Sequence, residues 1–195
     1  MPREINRKVY EMKISDSKKN IREQYRYHYD SPLGRMTLLG EERGLTGLWF
    51  DGQRHFPEDS AEYEERFLPV FGQTVRWLDI YFSGRDPGFT PQLFLEGSSF
   101  RREVWDILLT IPYGRTMTYG QIAGIIAEQR GLDRMSAQAV GGAVGHNPVS
   151  LIVPCHRVVG AGGSLTGYAG GIGRKARLLT LEKAEGIFIK KDEVW

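Results

Sequence analysis

The run Ile152-Val153-Pro154-Cys155-His156-Arg157-Val158-Val159 sets the chain's single cysteine beside an imidazole and a guanidinium, where an apolar, strand-like segment ends. A lone cysteine usually behaves as a small hydrophobe. Here a proline stops the apolar run and three reactive or charged side chains follow at once, which marks a site of nucleophilic chemistry. A free thiol titrates near ~8.5, so it needs a neighbour to raise its thiolate fraction at neutral pH. His156 is the candidate base. Adjacent residues of an extended chain point to opposite faces, so the imidazole must act through a water or across a sharp turn.

Such a base needs a third group to orient its ring. A helix predicted over residues 174–185 puts Leu178, Leu179 and Glu182 on one face, which turns a carboxylate toward the core. Burying it is costly unless it is paired, and His156 would serve. The other reading, a surface ion pair with a nearby Arg or Lys worth about 0.3–0.5 kcal/mol, stays open. Between Cys155 and that helix, residues 160–173 hold seven glycines around Leu165-Thr166-Gly167-Tyr168. This stretch has neither the Gly-Lys-Ser/Thr ending of a P-loop nor a dinucleotide fingerprint. It fits the wall of a pocket beside the thiol, with the Tyr168 ring available to stack on a base. Asn147 either simply ends a helix or uses its amide to tie that helix to the Cys155 segment.

The elements that must hold these groups are legible in outline. Alternation from Tyr25, a Ser31-Pro32-Leu33-Gly34 turn and apolar runs at 36–39 and 45–50 predict an antiparallel meander. A helix is predicted over 73–82, from the spacing of Val75, Leu78, Tyr81 and Phe82. Gly and Pro clusters over 84–91 predict a linker, with a boundary near residue 90. Beyond it, Phe100, Val104, Ile107, Leu108 and Ile111 share a helical face capped by Ser98 or Ser99. Thr118-Tyr119-Gly120-Gln121 has the form of a capping box opening a second helix. Ser136 caps a third, whose Val140, Ala143 and Val144 face inward. The last two helices make a helix-turn-helix candidate. The third is so rich in Ala and Gly that it has almost no long polar side chain to read a major groove; tight helix packing would explain the same composition.

Composition narrows the function classes. With 195 residues, 41% hydrophobic and 11% aromatic, the chain can fill ordinary cores. A net charge of +2 does not by itself demand a polyanion, although the excess of basic residues lies in the second half. One cysteine and four scattered histidines exclude an internal disulfide and leave no zinc-ligand spacing, so no metal is expected. A reducing, intracellular setting follows. No apolar stretch is long enough for a bilayer, and residues 1–20 read as a flexible basic tail without the apolar core of a secretory signal.

Taken together, Asn147-Pro148, Pro154-Cys155-His156-Arg157-Val158-Val159-Gly160, Ile111-Pro112-Tyr113-Gly114, Thr118-Tyr119, Gly167-Tyr168 and Leu178-Leu179 with Glu182 resemble the O6-alkylguanine-DNA alkyltransferases, the methylated-DNA-protein-cysteine methyltransferases. The resemblance is strong over 90–188 and covers the first domain only in general layout. It implies an α/β protein: a ribonuclease-H-like mixed domain over 21–90, then a winged helix-turn-helix domain over 91–195. It implies a monomer without cofactor that binds the minor groove of double-stranded DNA, flips an alkylated guanine into a pocket and moves the alkyl group to Cys155 in one irreversible turnover. O4-alkylthymine is implied as a further substrate, and a cytoplasmic location, or a nuclear one in a eukaryote.

By the same resemblance His156 is the base acting through a water and Glu182 orients it. Asn147 holds the active-site segment, and Tyr119 protonates the guanine and assists flipping. Tyr168, Val158 and Ala169 line the base pocket, Arg157 is mainly structural, and Tyr119, Ser136, Ala137 and Gln138 contact DNA. Two departures stand out. Gln138 replaces an arginine that in many relatives enters the base stack, which loses charge and planar stacking; Ala169 replaces a serine found in some. Two rivals remain from other classes: a thiol hydrolase or acyltransferase, which would turn over, and a non-catalytic lesion-binding protein, which would have no need of the thiol.

Overall fold

Short strands begin the chain's described portion because residues with β-branched, aromatic and leucine side chains alternate between glycine-bearing turns. The protein is represented by a computed structural model in which residues 23–57 and 62–187 are described; the tail assigned to 1–20 lies outside them. Strands β1 (Tyr25–Ser31), β2 (Gly34–Glu41), β3 (Gly44–Phe50) and the two-residue β4 (Glu64–Glu65) form one sheet in the order β3-β2-β1-β4. The first three pair antiparallel and β4 joins β1 in parallel. The β1–β2 turn closes through the Ser31 hydroxyl, which donates to Gly34 O at 2.6 Å and accepts from Leu33 N at 3.2 Å. Alternation places Met36, Leu38, Leu48 and Phe50 in the core.

Helix α1 (Pro69–Phe82) buries Phe71, Trp77, Leu78 and Tyr81. It starts at Pro69 and not at Gln73 as its apolar spacing predicts, because proline at the first helical position supplies a preset φ where no N–H bond is needed. After the linker come α2 (Ser99–Leu109), β5 (Met117–Thr118), α3 (Tyr119–Gln129), α4 (Ala137–Gly145), a 3-10 turn (Cys155–Arg157), β6 (Val158–Val159) and α5 (Ile172–Leu181). Ser98 caps α2, the capping box at Thr118 and Gln121 opens α3, and Ser136 caps α4, so three of the expected starts are met. β5 and β6 pair in parallel. The result is a mixed sheet-and-helix N-terminal half followed by a helical C-terminal half.

Two further expectations fail. The apolar run before Cys155 is a series of buried turns instead of a strand: Leu151 takes a left-handed φ of 69°, and Val153 N–H closes back on Val149 O at 3.1 Å. The last helix runs over Ile172–Leu181, not over 174–185. It ends because Lys183 enters the left-handed region at φ 54°, and the amides of Lys183 and Ala184 then bond to Thr180 O and Leu179 O at 3.0 and 2.9 Å. This paired closure is the Schellman pattern, here built on a lysine.

The two halves share edges. Leu48 N–H donates to Pro148 O at 2.9 Å and Ser150 N–H to Leu48 O at 2.8 Å, so the outer edge of β3 holds the segment that leads to Cys155. The linker lies on the same edge, through Leu45 N to Gln92 O and Phe94 N to Leu45 O, both 2.8 Å. No helix among the described residues is long and apolar enough to cross a membrane.

Candidate active site

Cys155 opens the 3-10 turn and is 5% exposed. Its sulfur accepts a hydrogen bond from Asn147 Nδ2 at 3.0 Å. The same amide donates to Val153 O at 2.7 Å, and its oxygen accepts from Val149 N at 3.0 Å. Of the two readings of Asn147, the tie to the Cys155 segment is the one present. Burial pushes the thiol up from its ordinary value, opposed by the Asn147 bond and the Lys175 charge, so the resting sulfur keeps its proton.

The turn carries His156 away from extended geometry and buries it completely. Its Nε2 lies 2.6 Å from Glu182 Oε1, while Nδ1 has no partner among the described residues. Burial lowers the imidazole's pKa against the pull of Glu182. A neutral ring with its proton on Nε2 leaves the lone pair on Nδ1.

Glu182 caps the C-terminus of α5 and is 3% exposed, which removes the surface ion-pair reading. Arg157 forks onto it, Nε to Oε2 at 2.8 Å and an Nη to Oε1 at 3.1 Å. Gly114 N–H adds a bond to Oε2 at 3.0 Å. Burial alone would raise this carboxyl; His156 and Arg157 outweigh it and hold it well below the usual carboxylate range. Arg157 also donates to Ile111 O at 2.7 Å. Glycine is required at 114, where φ is +72° and a Cβ would stand 2.8 Å from Glu182 O.

The pocket side is built by the Gly-rich loop. Tyr168 is buried with its ring edge-on to His156, centroids 6.4 Å apart. Tyr119, at the first turn of α3, is partly buried and donates toward Thr166 O at 3.2 Å. Burial and the nearby Cys155 keep its phenol protonated by raising its pKa. At Gly167, φ is +66° and a Cβ would lie 2.7 Å from the Tyr119 hydroxyl, so only glycine admits this approach. Ala169 is half-buried and gives its carbonyl to Arg54 N–H of the N-terminal half at 3.1 Å. Val158 is buried, its carbonyl accepting from Lys175. Ser136, Ala137 and Gln138 stand exposed at the start of α4.

Two residues escape a reading of the sequence. Tyr81 looks like one more core position of α1, yet its hydroxyl donates to Glu182 Oε1 at 2.7 Å. Lys175 is fully buried, donates to Val158 O and to Thr166 O, and burial lowers its pKa to about 8. Its four-residue spacing from Leu179 on α5 was the available signal.

A family model described as "6-O-methylguanine DNA methyltransferase, DNA binding domain" matches residues 99–184, and one described as the ribonuclease-like domain of the same methyltransferase matches residues 25–94. A methylated-DNA-protein-cysteine methyltransferase of Mycolicibacterium paratuberculosis is 47% identical over 154 residues, 79% of this chain and 89% of that one. One from Methanosarcina acetivorans is 42% identical over 157 residues, 79% of this chain and 95% of that one. Among solved structures, Mycobacterium tuberculosis OGT in complex with DNA superposes with a TM-score of 0.72 at 46% identity, covering 82% of this chain and 93% of that one.

Proposed function

The chain belongs to the 6-O-methylguanine DNA methyltransferase family, and on that premise we propose that it repairs alkylated DNA by moving the alkyl group from guanine O6 to Cys155. The observation that carries the reading is a buried thiol held by Asn147 next to an imidazole whose opposite nitrogen is fixed by an ionised Glu182. A protonated thiol at rest protects a soft nucleophile that is needed only when a substrate arrives.

With an alkylated guanine in the pocket, His156 takes the thiol proton at Nδ1 through a water. The sulfur then attacks the alkyl carbon, an S–C bond forms, the C–O6 bond breaks and its electron pair stays with the guanine. Tyr119 gives its phenolic proton to the purine as that charge develops. The tyrosinate and the imidazolium later exchange protons through solvent, so the net change is one proton moved from sulfur to guanine. A thioether has no easy return to a thiol, and each molecule acts once. Tyr168 and the Val158 and Ala169 backbone line the base pocket. Minor-groove binding falls to α4, where Ser136, Ala137 and Gln138 are exposed and small residues permit close approach to the backbone. O4-alkylthymine fits the same displacement. The protein works as a monomer where DNA is held, in the cytoplasm or, in a eukaryote, the nucleus. Its functional division is a sheet domain over 21–90 and a DNA-binding, alkyl-accepting domain over 91–195.

Intact mass after mixing with an oligonucleotide containing O6-methylguanine tests the reading. One added methyl is expected, on the peptide containing Cys155 and absent in Cys155→Ser. Folded protein that gains no mass would overturn it, and turnover without a lasting adduct would favour a thiol hydrolase.

A further inference from the structure

In the roles above every reacting group comes from the C-terminal half, yet α1 sends a hydroxyl into the middle of the cluster. The Tyr81 ring is fully buried, stacked on Trp77 with centroids 5.1 Å apart and edge-on to Phe82, Tyr113 and His156. Packing of this kind is equally served by phenylalanine, and a buried hydroxyl is a cost unless it is partnered. Its oxygen lies 2.7 Å from Glu182 Oε1 and 3.2 Å from His156 Nε2.

The proton positions follow from the neighbours. The 2.6 Å contact between Nε2 and Oε1 holds one proton, and Arg157 keeps Glu182 ionised, so Nε2 carries it. Tyr81 therefore donates to Oε1 and presents its oxygen to Nε2–H. Oε1 is then occupied by three donors: Tyr81, His156 and Arg157. A carboxylate oxygen filled in this way has little affinity left for a further proton. That matters when His156 becomes an imidazolium, because its Nε2 proton then sits beside the one acceptor able to take it.

We propose that Tyr81 is a positioning residue of the alkyl-transfer site: beside Arg157, its hydroxyl fills Glu182 Oε1 and so keeps the Nε2 proton on His156, leaving the basic lone pair on Nδ1 for the thiol. The inference rests on the roles given above to Cys155 and His156, and it makes the sheet-bearing half of the molecule part of the chemistry.

Tyr81→Phe keeps the ring and removes only the hydroxyl, leaving Oε1 with two donors. The imidazole is faced by Glu182 and Lys175 from α5 and its end, by Cys155 and Arg157 of its own turn, by Tyr168 from the Gly-rich loop and by Tyr81 from α1. Tyr81 stays protonated well past neutrality, so the substitution changes no charge there. Without its bond, Glu182 becomes more basic and holds the imidazolium more strongly. The acid limb of the single-turnover rate profile is expected to move up by about half a unit to one unit, with transfer at pH 6 slower by roughly three- to tenfold and the Kd for DNA unchanged. Superimposable profiles for the two proteins would overturn the proposal. Nitrogen NMR titration of His156 reads the same shift without any substrate. If the wild-type protein transfers no alkyl group, the function reading falls; if the His156 midpoint is the same with and without the hydroxyl, the role of Tyr81 falls.

Discussion

Glu182 shows which terms decide the site at the scale of one residue. Taking a carboxylate out of water costs several kcal/mol, and a single partner seldom repays it. Here the Arg157 fork, the imidazole, the Tyr81 hydroxyl and the Gly114 amide together fill both oxygens, and the group stays ionised. Because its folded pKa lies below the unfolded one, its stabilising contribution is complete above the ordinary carboxylate value of about 4.3 and is lost as pH falls below it. Glu182→Gln leaves the buried Arg157 without its counter-charge, so a loss of about 3–5 kcal/mol in urea unfolding is expected. Transfer should slow by about 10²-fold as the imidazole loses its orienting anion, while DNA affinity stays near wild type wherever the variant is folded. A wild-type rate in stopped-flow mixing would take Glu182 out of the mechanism. Cys155 and His156 were legible because adjacency, an apolar run and proline mark them, whereas Asn147 stayed open between a helix end and a tie until the fold closed its amide on the thiol segment. Tyr81 and Lys175 were not, since a tyrosine at helical spacing reads as core, and nothing local tells a buried lysine from a solvated one.

At the scale of elements, capping chemistry was the most readable feature, because Ser98, Thr118 with Gln121, and Ser136 each satisfy amides within three residues. Ends set by backbone closure were not readable. The stop of α5 depends on Lys183 at φ 54°, and the turns before Cys155 depend on Leu151 at φ 69°; neither residue type advertises a left-handed conformation. The tertiary contacts of β3 with 148–150 hold what local preference would have made a strand. The α4 helix turns Ser136, Ala137 and Gln138 to solvent at its start. Gln138 stands exposed near its start and brings no charge to a phosphate-rich partner. Gln138→Arg should tighten binding to duplex DNA and steepen the dependence of log K on log salt by about one unit. Fluorescence anisotropy across a salt series measures both, and an identical slope for the two proteins would mean that position 138 does not meet the duplex.

At the scale of the molecule, the two halves that composition separates at a Gly- and Pro-rich linker share one hydrophobic cluster, from Tyr25 and Phe71 through Trp105 and Val140 to Cys155 and Leu178. Polar links cross the same boundary: Leu48 with Pro148 and Ser150, the Gln53 amide oxygen with the Ser150 hydroxyl at 3.3 Å, Arg54 with Ala169, and the His55 ring stacked 4.3 Å from His146. These contacts reach the end of α4, the segment before Cys155 and the pocket loop, so the sheet domain fixes the pieces that must converge on the thiol. Opening the boundary would strip the outer edge of β3 of its bonds to 148–150 and expose apolar surface on both sides, a loss neither half can offset alone. Unfolding is therefore expected as one transition, with calorimetric and van't Hoff enthalpies equal. Protection of the Ser150 amide against hydrogen exchange should match that of amides inside α2, both opening only with the whole fold. Two calorimetric transitions, or a Ser150 amide that exchanges while α2 stays protected, would show that the thiol segment loosens independently and that the sheet domain is only tethered to it.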